Sequence, residues 1–133
     1  MLKKILVIED DRDIADLVKL VLETTKQFEV STVLDPEIAY ETAVTYRPDA
    51  IFLDLSMPKM DGWAVFDMIR KDDSFAEIPI AILTARSQDF DEMIILHVKK
   101  ADAYITKPFG KQELIDKTND LFKKKNKQTD PDR

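Results

Sequence analysis

Polar side chains follow directly after the apolar runs of this sequence, and their types suggest a shared chemistry. The clearest case is Asp54, which ends the bulky apolar run at residues 51–53 and precedes a stretch of loop-forming residues. Because burying an unpaired carboxylate is costly, Asp54 either lies at an open edge of the fold or is compensated by a nearby group. Four further residues end apolar runs elsewhere in the chain: Glu9, Asp10, Thr84 and Lys107.

A divalent cation would turn these groups into one reactive site. Converging carboxylates raise each other's pKa, and a hard cation removes that repulsion. Mg²⁺ prefers oxygen ligands and typically combines one or two carboxylates with phosphate oxygens. We therefore predict Asp10 and Asp54 as direct ligands, Glu9 as a ligand directly or through water, and a backbone carbonyl just past Asp54 as another. Asp54 is then a candidate nucleophile toward phosphorus, with Thr84 and Lys107 stabilising the phosphoryl oxygens.

The spacing of apolar residues predicts the elements that position this site. Five apolar runs of strand length alternate with amphipathic helical patterns. The predicted strands are residues 3–9, 28–33, 49–54, 78–85 and 102–106, and the predicted fourth and fifth helices are residues 87–100 and 110–125. Strict alternation requires crossover connections, so the sheet should be parallel and covered by helices on both faces. Ligands of such sheets bind beyond the carboxyl ends of the strands, where all the polar residues above would meet.

Aspartates mark the predicted starts of three helices. Asp11 and Asp61 precede amphipathic patterns and are predicted N-caps. Asp35 is followed by Pro36, which fits the first helical position because proline has no backbone N–H to satisfy there. The predicted helices therefore begin immediately after these three aspartates.

Composition and charge narrow the class of protein. The length of 133 residues fits one domain with a substantial core, and the formal net charge of −6 argues against a nucleic-acid-binding surface. Absence of cysteine excludes disulfides, thiolate metal sites and cysteine nucleophiles. No apolar run reaches membrane-spanning length and no signal peptide precedes the first strand, so we expect a cytoplasmic protein without membrane insertion. The domain is predicted to span residues 1–125, with 126–133 as a polar tail or the start of a linker.

The polar residues at the strand ends carry a resemblance to a known family. The segments ILVIEDD, IFLDLSMPKMDGW, ILTA and DAYITKPF stand in the order and spacing of the receiver domain of bacterial two-component response regulators. The sequence resembles that family over nearly its whole length. The resemblance implies an α/β, flavodoxin-like (βα)5 fold, with a doubly wound parallel five-stranded sheet in the order 2-1-3-4-5. It also implies roles for six residues: Asp54 as phosphoacceptor, Glu9 and Asp10 as the acid pair, the Ser56 carbonyl as a metal ligand, and Thr84 and Lys107 as phosphoryl contacts.

The same resemblance implies a signalling function and not that of a metabolic enzyme. A sensor histidine kinase or phosphotransfer protein would dock near the first helix and the loop after the fifth strand, and would donate a phosphoryl group to Asp54 in a Mg²⁺-dependent reaction. Thr84 and the switch aromatic Tyr104 would then move, altering a surface formed by the fourth helix, fifth strand and fifth helix. That surface would bind a downstream protein target, contact an output domain or form a homodimer. The Lys107–Pro108 bond is expected to be cis.

Two positions are expected to tune the lifetime of the phosphorylated state, and two departures from the family bear on output. Ser56 and Arg86 flank the approach of the hydrolytic water by resemblance; a short Ser56 and a long, charged Arg86 predict slow self-dephosphorylation. Lys100 stands where the family usually has glycine, and the segment from Thr84 to Tyr104 is one residue longer than typical.

Two other classes of function compete with a phosphorylation switch. A haloacid-dehalogenase-type phosphatase or phosphotransferase also uses an aspartate nucleophile, but it generally needs a second acid two residues later, where this chain has Ser56. A flavin-binding module would need a phosphate-cradling glycine-rich loop, and the chain has only two glycines. Incubation with acetyl phosphate and Mg²⁺ separates the three classes.

Overall fold

The fold is one parallel sheet with helices on both faces. The computed structural model describes residues 1–57, 61–85 and 100–129, with the side chains of the last helix described as far as Lys123. The strands are β1 (Lys3–Ile8), β2 (Phe28–Val33), β3 (Ala50–Asp54), β4 (Ile80–Ala85) and β5 (Ala103–Lys107). The helices are α1 (Arg12–Thr24), α2 (Ala39–Tyr46), α3 (Gly62–Lys71) and α4 (Lys111–Thr129), with short 3₁₀ turns at Pro36–Ile38 and Asp73–Phe75. The strands pair in the order β2-β1-β3-β4-β5, which confirms the predicted fold class and strand order.

Alternate residues of the central strands feed two separate cores. Leu6 and Ile8 of β1 pack into one core with residues of α2 and α3, while Ile5 and Val7 pack into the other with residues of α1 and α4. These four β1 side chains are fully buried. Burial of each such side chain stabilises the fold by about 1.5–3 kcal/mol. Because successive residues of a strand face opposite sides of the sheet, a continuous apolar run indicates a strand covered on both faces.

Two of the three predicted caps start helices where expected, and the third does not. Asp11 accepts hydrogen bonds from the N–H groups of Asp13 and Ile14, and Asp61 accepts one from Trp63. Asp35 instead caps the 3₁₀ turn at Pro36–Ile38, and α2 begins only at Ala39. A tight 3₁₀ turn commonly precedes an α-helix, which places the helix start three residues later than predicted.

The last helix is longer than predicted. It runs to Thr129, four residues beyond the expected end at Lys125. Polarity alone does not stop a helix, because lysine and glutamine are good helix formers and the next proline is Pro131. Residues 87–99 of the predicted fourth helix, including His97, lie outside the described residues. No helix in the described ranges is long and apolar enough to cross a membrane.

Candidate functional site

The carboxyl ends of β1, β3, β4 and β5 bring the predicted residues to one edge of the sheet. Asp54 is the last residue of β3 and pairs in register with Leu83, next to Thr84 of β4. Lys107 is the last residue of β5 and pairs with Ala85 at the end of β4. Glu9 follows β1 directly, since that strand ends at Ile8. The parallel register therefore accounts for the meeting of four chain segments that are far apart in sequence.

Lys107 lies between two buried carboxylates. Its Nζ is 2.5 Å from Oε1 of Glu9 and 3.4 Å from Oδ1 of Asp54. The Glu9 side chain has no exposed surface and that of Asp54 is only 2% exposed, whereas the Lys107 side chain is 16% exposed. Two carboxyl groups and one ammonium group thus share a site that excludes most water.

Burial dominates the protonation of this cluster. Desolvation of Glu9, reinforced by the neighbouring Asp54, raises the pKa of the Glu9 carboxyl to about 8. Burial alone would lower the pKa of Lys107, but the two carboxylates outweigh that effect and raise it. Mutual repulsion is the cause of a raised acid pKa that the sequence predicts; in the folded protein, loss of water around Glu9 is the larger cause.

The chain that follows Asp54 holds its carboxylate in place. The backbone N–H of Ser56 donates a hydrogen bond of 2.9 Å to Oδ1 of Asp54, the same oxygen that faces Lys107. Gly62 makes this turn possible, because a Cβ at that position would lie 2.6 Å from Cα of Leu55 and 2.9 Å from the carbonyl oxygen of Asp54. The position of Gly62 among loop-forming residues does not predict this close approach.

The acidic residues at this edge fit a hard divalent cation. Glu9, Asp10 and Asp54 each offer a carboxylate oxygen, and these oxygens lie within 4.8 Å of one another. Oε1 of Glu9 is buried and, despite the nearby Lys107 ammonium, receives no hydrogen bond of acceptable geometry from the described residues. Asp10 is exposed, so a cation held here would remain open to water and substrate on one side. An incompletely satisfied buried oxygen and two further carboxylates are the donor set that Mg²⁺ takes.

Thr84 and Tyr104 lie on the neighbouring strands β4 and β5. Thr84 is 2% exposed, and its hydroxyl donates to the carbonyl of Ala85 at 3.1 Å. Tyr104 is half-buried on β5, packed against the core that also contains α2 and α3. The predicted cis bond between Lys107 and Pro108 is confirmed.

Other residues singled out from the sequence are placed less completely. Ser56 is exposed beside Asp54, whereas Arg86 lies outside the described residues. Lys100 has a φ of 62°, in the left-handed region that favours glycine.

Comparison with known proteins agrees with this fold. The sequence profile of the response regulator receiver domain matches residues 5–119. The chain is 37% identical over 121 residues to the DNA-binding dual master transcriptional regulator RpaA of Synechocystis, covering 91% of this chain and 49% of that protein. It is 40% identical over 114 residues to the alkaline phosphatase synthesis transcriptional regulatory protein PhoP of Bacillus subtilis, covering 86% and 46%. The chain therefore spans about half the length of these two curated relatives.

Solved structures show the same architecture. A putative response regulator from Chloroflexus aurantiacus superposes with a TM-score of 0.83 and 28% identity, covering 92% of this chain and 99% of that one. A chemotaxis response regulator of Vibrio cholerae, at 24% identity, shares the fold with a TM-score of 0.81, covering 91% of this chain and 99% of that one. With the family profile matched across most of its length, this chain belongs to the response regulator receiver domain family.

Proposed function

We propose that the protein is a phosphorylation-driven switch that receives a phosphoryl group on Asp54. The observation that carries this proposal is the buried carboxylate of Asp54, held at the end of β3 beside the Lys107 ammonium at 3.4 Å. The donor is a phosphohistidine of a sensor histidine kinase or phosphotransfer protein. Its P–N bond breaks as a carboxylate oxygen of Asp54 forms the new P–O bond, and the leaving imidazole takes a proton.

The geometry of Asp54 selects the attacking oxygen. The Ser56 N–H and the Lys107 ammonium both contact Oδ1. Oδ2 is therefore the oxygen assigned to the attack. Lys107 and the Thr84 hydroxyl stabilise the phosphoryl oxygens, Thr84 after it turns away from the Ala85 carbonyl.

Glu9, Asp10, Asp54 and the backbone carbonyl of Ser56 are the residues that would hold Mg²⁺. When bound, the cation supplies neutralisation of the negative charge that builds up between carboxylate and phosphoryl oxygens. Within the protein itself, Lys107 supplies part of that neutralisation through its contacts with Glu9 and Asp54.

The phosphotransfer partner is assigned to the exposed face of α1 and the loop after β5. Leu17 and Leu20 on α1 are 45% and 65% exposed, although both are large and apolar. They lie on the helix that begins beside the acidic cluster, at Asp11. An apolar surface next to a phosphoacceptor is suited to hold a donor protein with its phosphohistidine over Asp54.

Output is proposed to follow from movement of Thr84 and Tyr104. The altered surface comprises β5, α4 and the predicted helix at residues 87–100, and it binds a downstream protein target, contacts an output domain or forms a homodimer. The curated relatives are named as transcriptional regulators and are about twice as long as this chain. A cytoplasmic location and the absence of direct nucleic-acid contact by residues 1–125 belong to the same proposal.

The lifetime of the phosphorylated state is assigned to Ser56 and Arg86. Ser56 is exposed beside Asp54 and too short to orient a water molecule, and Arg86 is the residue two positions past Thr84. Ser56→Asn and Arg86→Ala should each speed decay of the phosphoprotein several-fold, which corresponds to about 1 kcal/mol on the barrier. Unchanged decay in both variants would refute this assignment.

The haloacid-dehalogenase-type alternative has no support. The family profile that matches is that of the receiver domain, and the position two residues after Asp54 is serine and not an acid.

Acetyl phosphate with Mg²⁺ tests the function directly. A receiver accumulates one base-labile, hydroxylamine-sensitive acyl phosphate per chain, and orthophosphate appears no faster than that species decays. Continuous turnover of acetyl phosphate without an accumulating phosphoprotein would instead indicate a phosphatase. Failure to react in either way would overturn the proposal.

A second experiment tests the docking surface independently of the chemistry. Leu20→Asp should impair transfer from a phosphohistidine protein while leaving phosphorylation by acetyl phosphate unchanged. Met68→Asp is the matched control, because Met68 is 42% exposed on α3, on the opposite face of the sheet. Equal loss of transfer in both variants would refute docking on α1.

A further inference from the structure

Lys117 on α4 makes two contacts with the same residue of β5. Its Nζ donates a hydrogen bond of 3.1 Å to the backbone carbonyl of Tyr104 and lies 4.9 Å from the centroid of the Tyr104 ring. The first contact is with the strand, which is fixed by its pairing with β4. The second is with the side chain that the proposed function assigns to switching. The Lys117 ammonium therefore contacts both the fixed backbone of β5 and a ring that can change its rotamer.

A lysine on the opposite edge of the sheet shows what a purely structural contact of this kind looks like. Lys19 on α1 donates to the carbonyl of Val30 on β2 at 2.6 Å and pairs with Glu23 at 3.3 Å. Glu23 also accepts the Val30 N–H at 3.1 Å. Among the described residues, Lys19 and Glu23 therefore pair with each other and with the backbone of β2, and with no movable side chain on that strand. Lys117 differs, because no carboxylate among the described residues lies within ion-pair distance of its Nζ and its remaining contact is the Tyr104 ring.

The contact with the ring depends on the rotamer of Tyr104. Because Nζ is tethered to the strand carbonyl, a change of χ1 swings the ring away from the ammonium and removes the cation–π attraction. The hydrogen bond to the carbonyl survives that change. Lys117 therefore favours one ring position over the others without changing the backbone.

The favoured position belongs to the unphosphorylated arrangement. In this structure the Thr84 hydroxyl donates to the Ala85 carbonyl and not toward Asp54. The ring of Tyr104 stays half-buried, in contact with Lys117. A contact present only in this arrangement lowers the population of the alternative one.

We propose that Lys117 is a positioning residue that holds Tyr104 in the resting state and so sets how readily the switch responds. The expected effect on phosphorylation rests on the proposed function, whereas the contact between Lys117 and Tyr104 does not depend on it. Because the rate of reaction with a small donor scales with the population of the competent conformer, releasing the ring should speed phosphorylation.

The test compares Lys117→Met with Lys123→Met, which removes an equal charge from an exposed position on the same helix. With acetyl phosphate and Mg²⁺, Lys117→Met should react about two- to five-fold faster than the parent, the range expected for one exposed cation–π contact. Lys123→Met should react at the parental rate. In a Tyr104→Phe background the effect of Lys117→Met should persist, because a phenyl ring keeps the contact. In a Tyr104→Ala background it should vanish.

A second readout separates this inference from the function on which it rests. In the unphosphorylated protein, the ¹H–¹³C ring signals and χ1 couplings of Tyr104 should report a shifted rotamer population in Lys117→Met and none in Lys123→Met. If the parent takes up no phosphoryl group, the proposed function fails while the ring measurement still decides the role of Lys117. Unchanged ring signals, or an equal rate effect in the Tyr104→Ala background, would overturn the inference.

Discussion

The two ends of the sheet each hold a cluster of charged side chains, and the clusters differ in how fully their polar atoms are paired. At the carboxyl ends, Glu9 and Asp54 are buried around one ammonium, and Oε1 of Glu9 lacks a hydrogen bond of acceptable geometry from the described residues. At the amino ends, Arg70 pairs with Asp102 at 3.0 Å while both side chains remain about a fifth to a quarter exposed.

The amino-end cluster is built from well-matched donors and acceptors. Nη1 of Arg70 donates to the carbonyls of Phe75 and Ile78 at 3.0 and 2.6 Å, and Oδ2 of Asp102 also accepts the N–H of Ile80 at 2.8 Å. These contacts join α3, the turn before β4 and the start of β5. Charges that are paired in this way stabilise the fold, whereas the cluster at the opposite end has carboxylate oxygens that could hold a cation.

Replacing the basic residue at the centre of each cluster should lower stability at both ends of the sheet. Mg²⁺ should offset that loss only at the carboxyl end. Lys107→Met leaves the buried Asp54 carboxylate and the Glu9 carboxyl without their ammonium and should lower the free energy of unfolding by about 3 kcal/mol in metal-free buffer. Mg²⁺ should recover much of that loss, because the cation takes over the compensation of charge. Arg70→Met should cost about 2 kcal/mol, and Mg²⁺ should recover none of that loss. Urea unfolding of both variants, with and without Mg²⁺, checks this; equal recovery would mean that the two ends are not distinct.

The two ends should also respond to pH in opposite directions. In metal-free protein the pKa of Glu9 is raised from 4.5 to about 8, so its contribution to stability is fully present below pH 4.5 and is lost as pH rises through 8. At the amino end, hydrogen bonds from Ser74 and Tyr40 lower the pKa of Asp72 from 3.8 to about 2. Its contribution is present above pH 3.8 and is lost as pH falls through 2.

Two variants separate these pH effects by urea unfolding in the presence of a chelator. Glu9→Gln should flatten the dependence of stability on pH between 4.5 and 8. It should leave unchanged the acid limb, which is the loss of stability below pH 3.8. Ser74→Ala, which removes the 2.6 Å hydrogen bond to Asp72, should weaken only the acid limb. If the stability of Glu9→Gln depends on pH as that of the parent does, Glu9 does not govern the dependence between pH 4.5 and 8.

Mg²⁺ should stabilise the parent protein by binding only its folded form. At a Mg²⁺ concentration ten times the dissociation constant, the gain is about 1.4 kcal/mol and appears as a rise in Tm. Asp10→Asn should blunt this rise. Because Asp10 is exposed, the same variant should change the metal-free stability by less than about 0.5 kcal/mol. An undiminished Mg²⁺ response in Asp10→Asn would remove that residue from the ligand set.

Relieving backbone strain at the amino end of the sheet should raise stability without changing phosphorylation at the carboxyl end. Lys26, Arg47 and Lys100 have φ values of 60°, 55° and 62°, and each lies in a connection that enters a strand. Lys100→Gly should stabilise the fold by about 0.5–1 kcal/mol and leave the yield of phosphorylation unchanged. Arg47→Gly is the matched control with the same expected gain. A loss of phosphorylation confined to Lys100→Gly would connect this position to the switch.

Most of the fold and most of the site could be predicted from local patterns. The continuous apolar run of β1 and the alternation of strands and helices determined the parallel sheet, and a parallel sheet places Asp54, Thr84 and Lys107 at one edge. The bounds of helices were less predictable, because Asp35 caps a 3₁₀ turn and the polar residues after Lys125 continue α4.

Contacts that depend on tertiary geometry could not be predicted. Burial of Glu9, the pairing of Arg70 with Asp102 and the contact of Lys117 with Tyr104 join residues on different elements. No local spacing encodes such distances. Gly62 left a weak signal as one of only two glycines, directly after a capping aspartate, but the approach of its backbone to Asp54 and Leu55 appears only in the folded chain.

The carboxyl-end cluster is proposed to make Asp54 a phosphoacceptor. The most direct test is the intact mass of the parent and of Asp54→Asn after incubation with phosphoramidate, a small donor with a P–N bond, in Mg²⁺. We expect the addition of one phosphoryl group to the parent and none to Asp54→Asn, whose circular dichroism should remain that of the folded protein. Equal phosphorylation of a folded Asp54→Asn variant would place the acceptor on another acid and refute the assignment of Asp54.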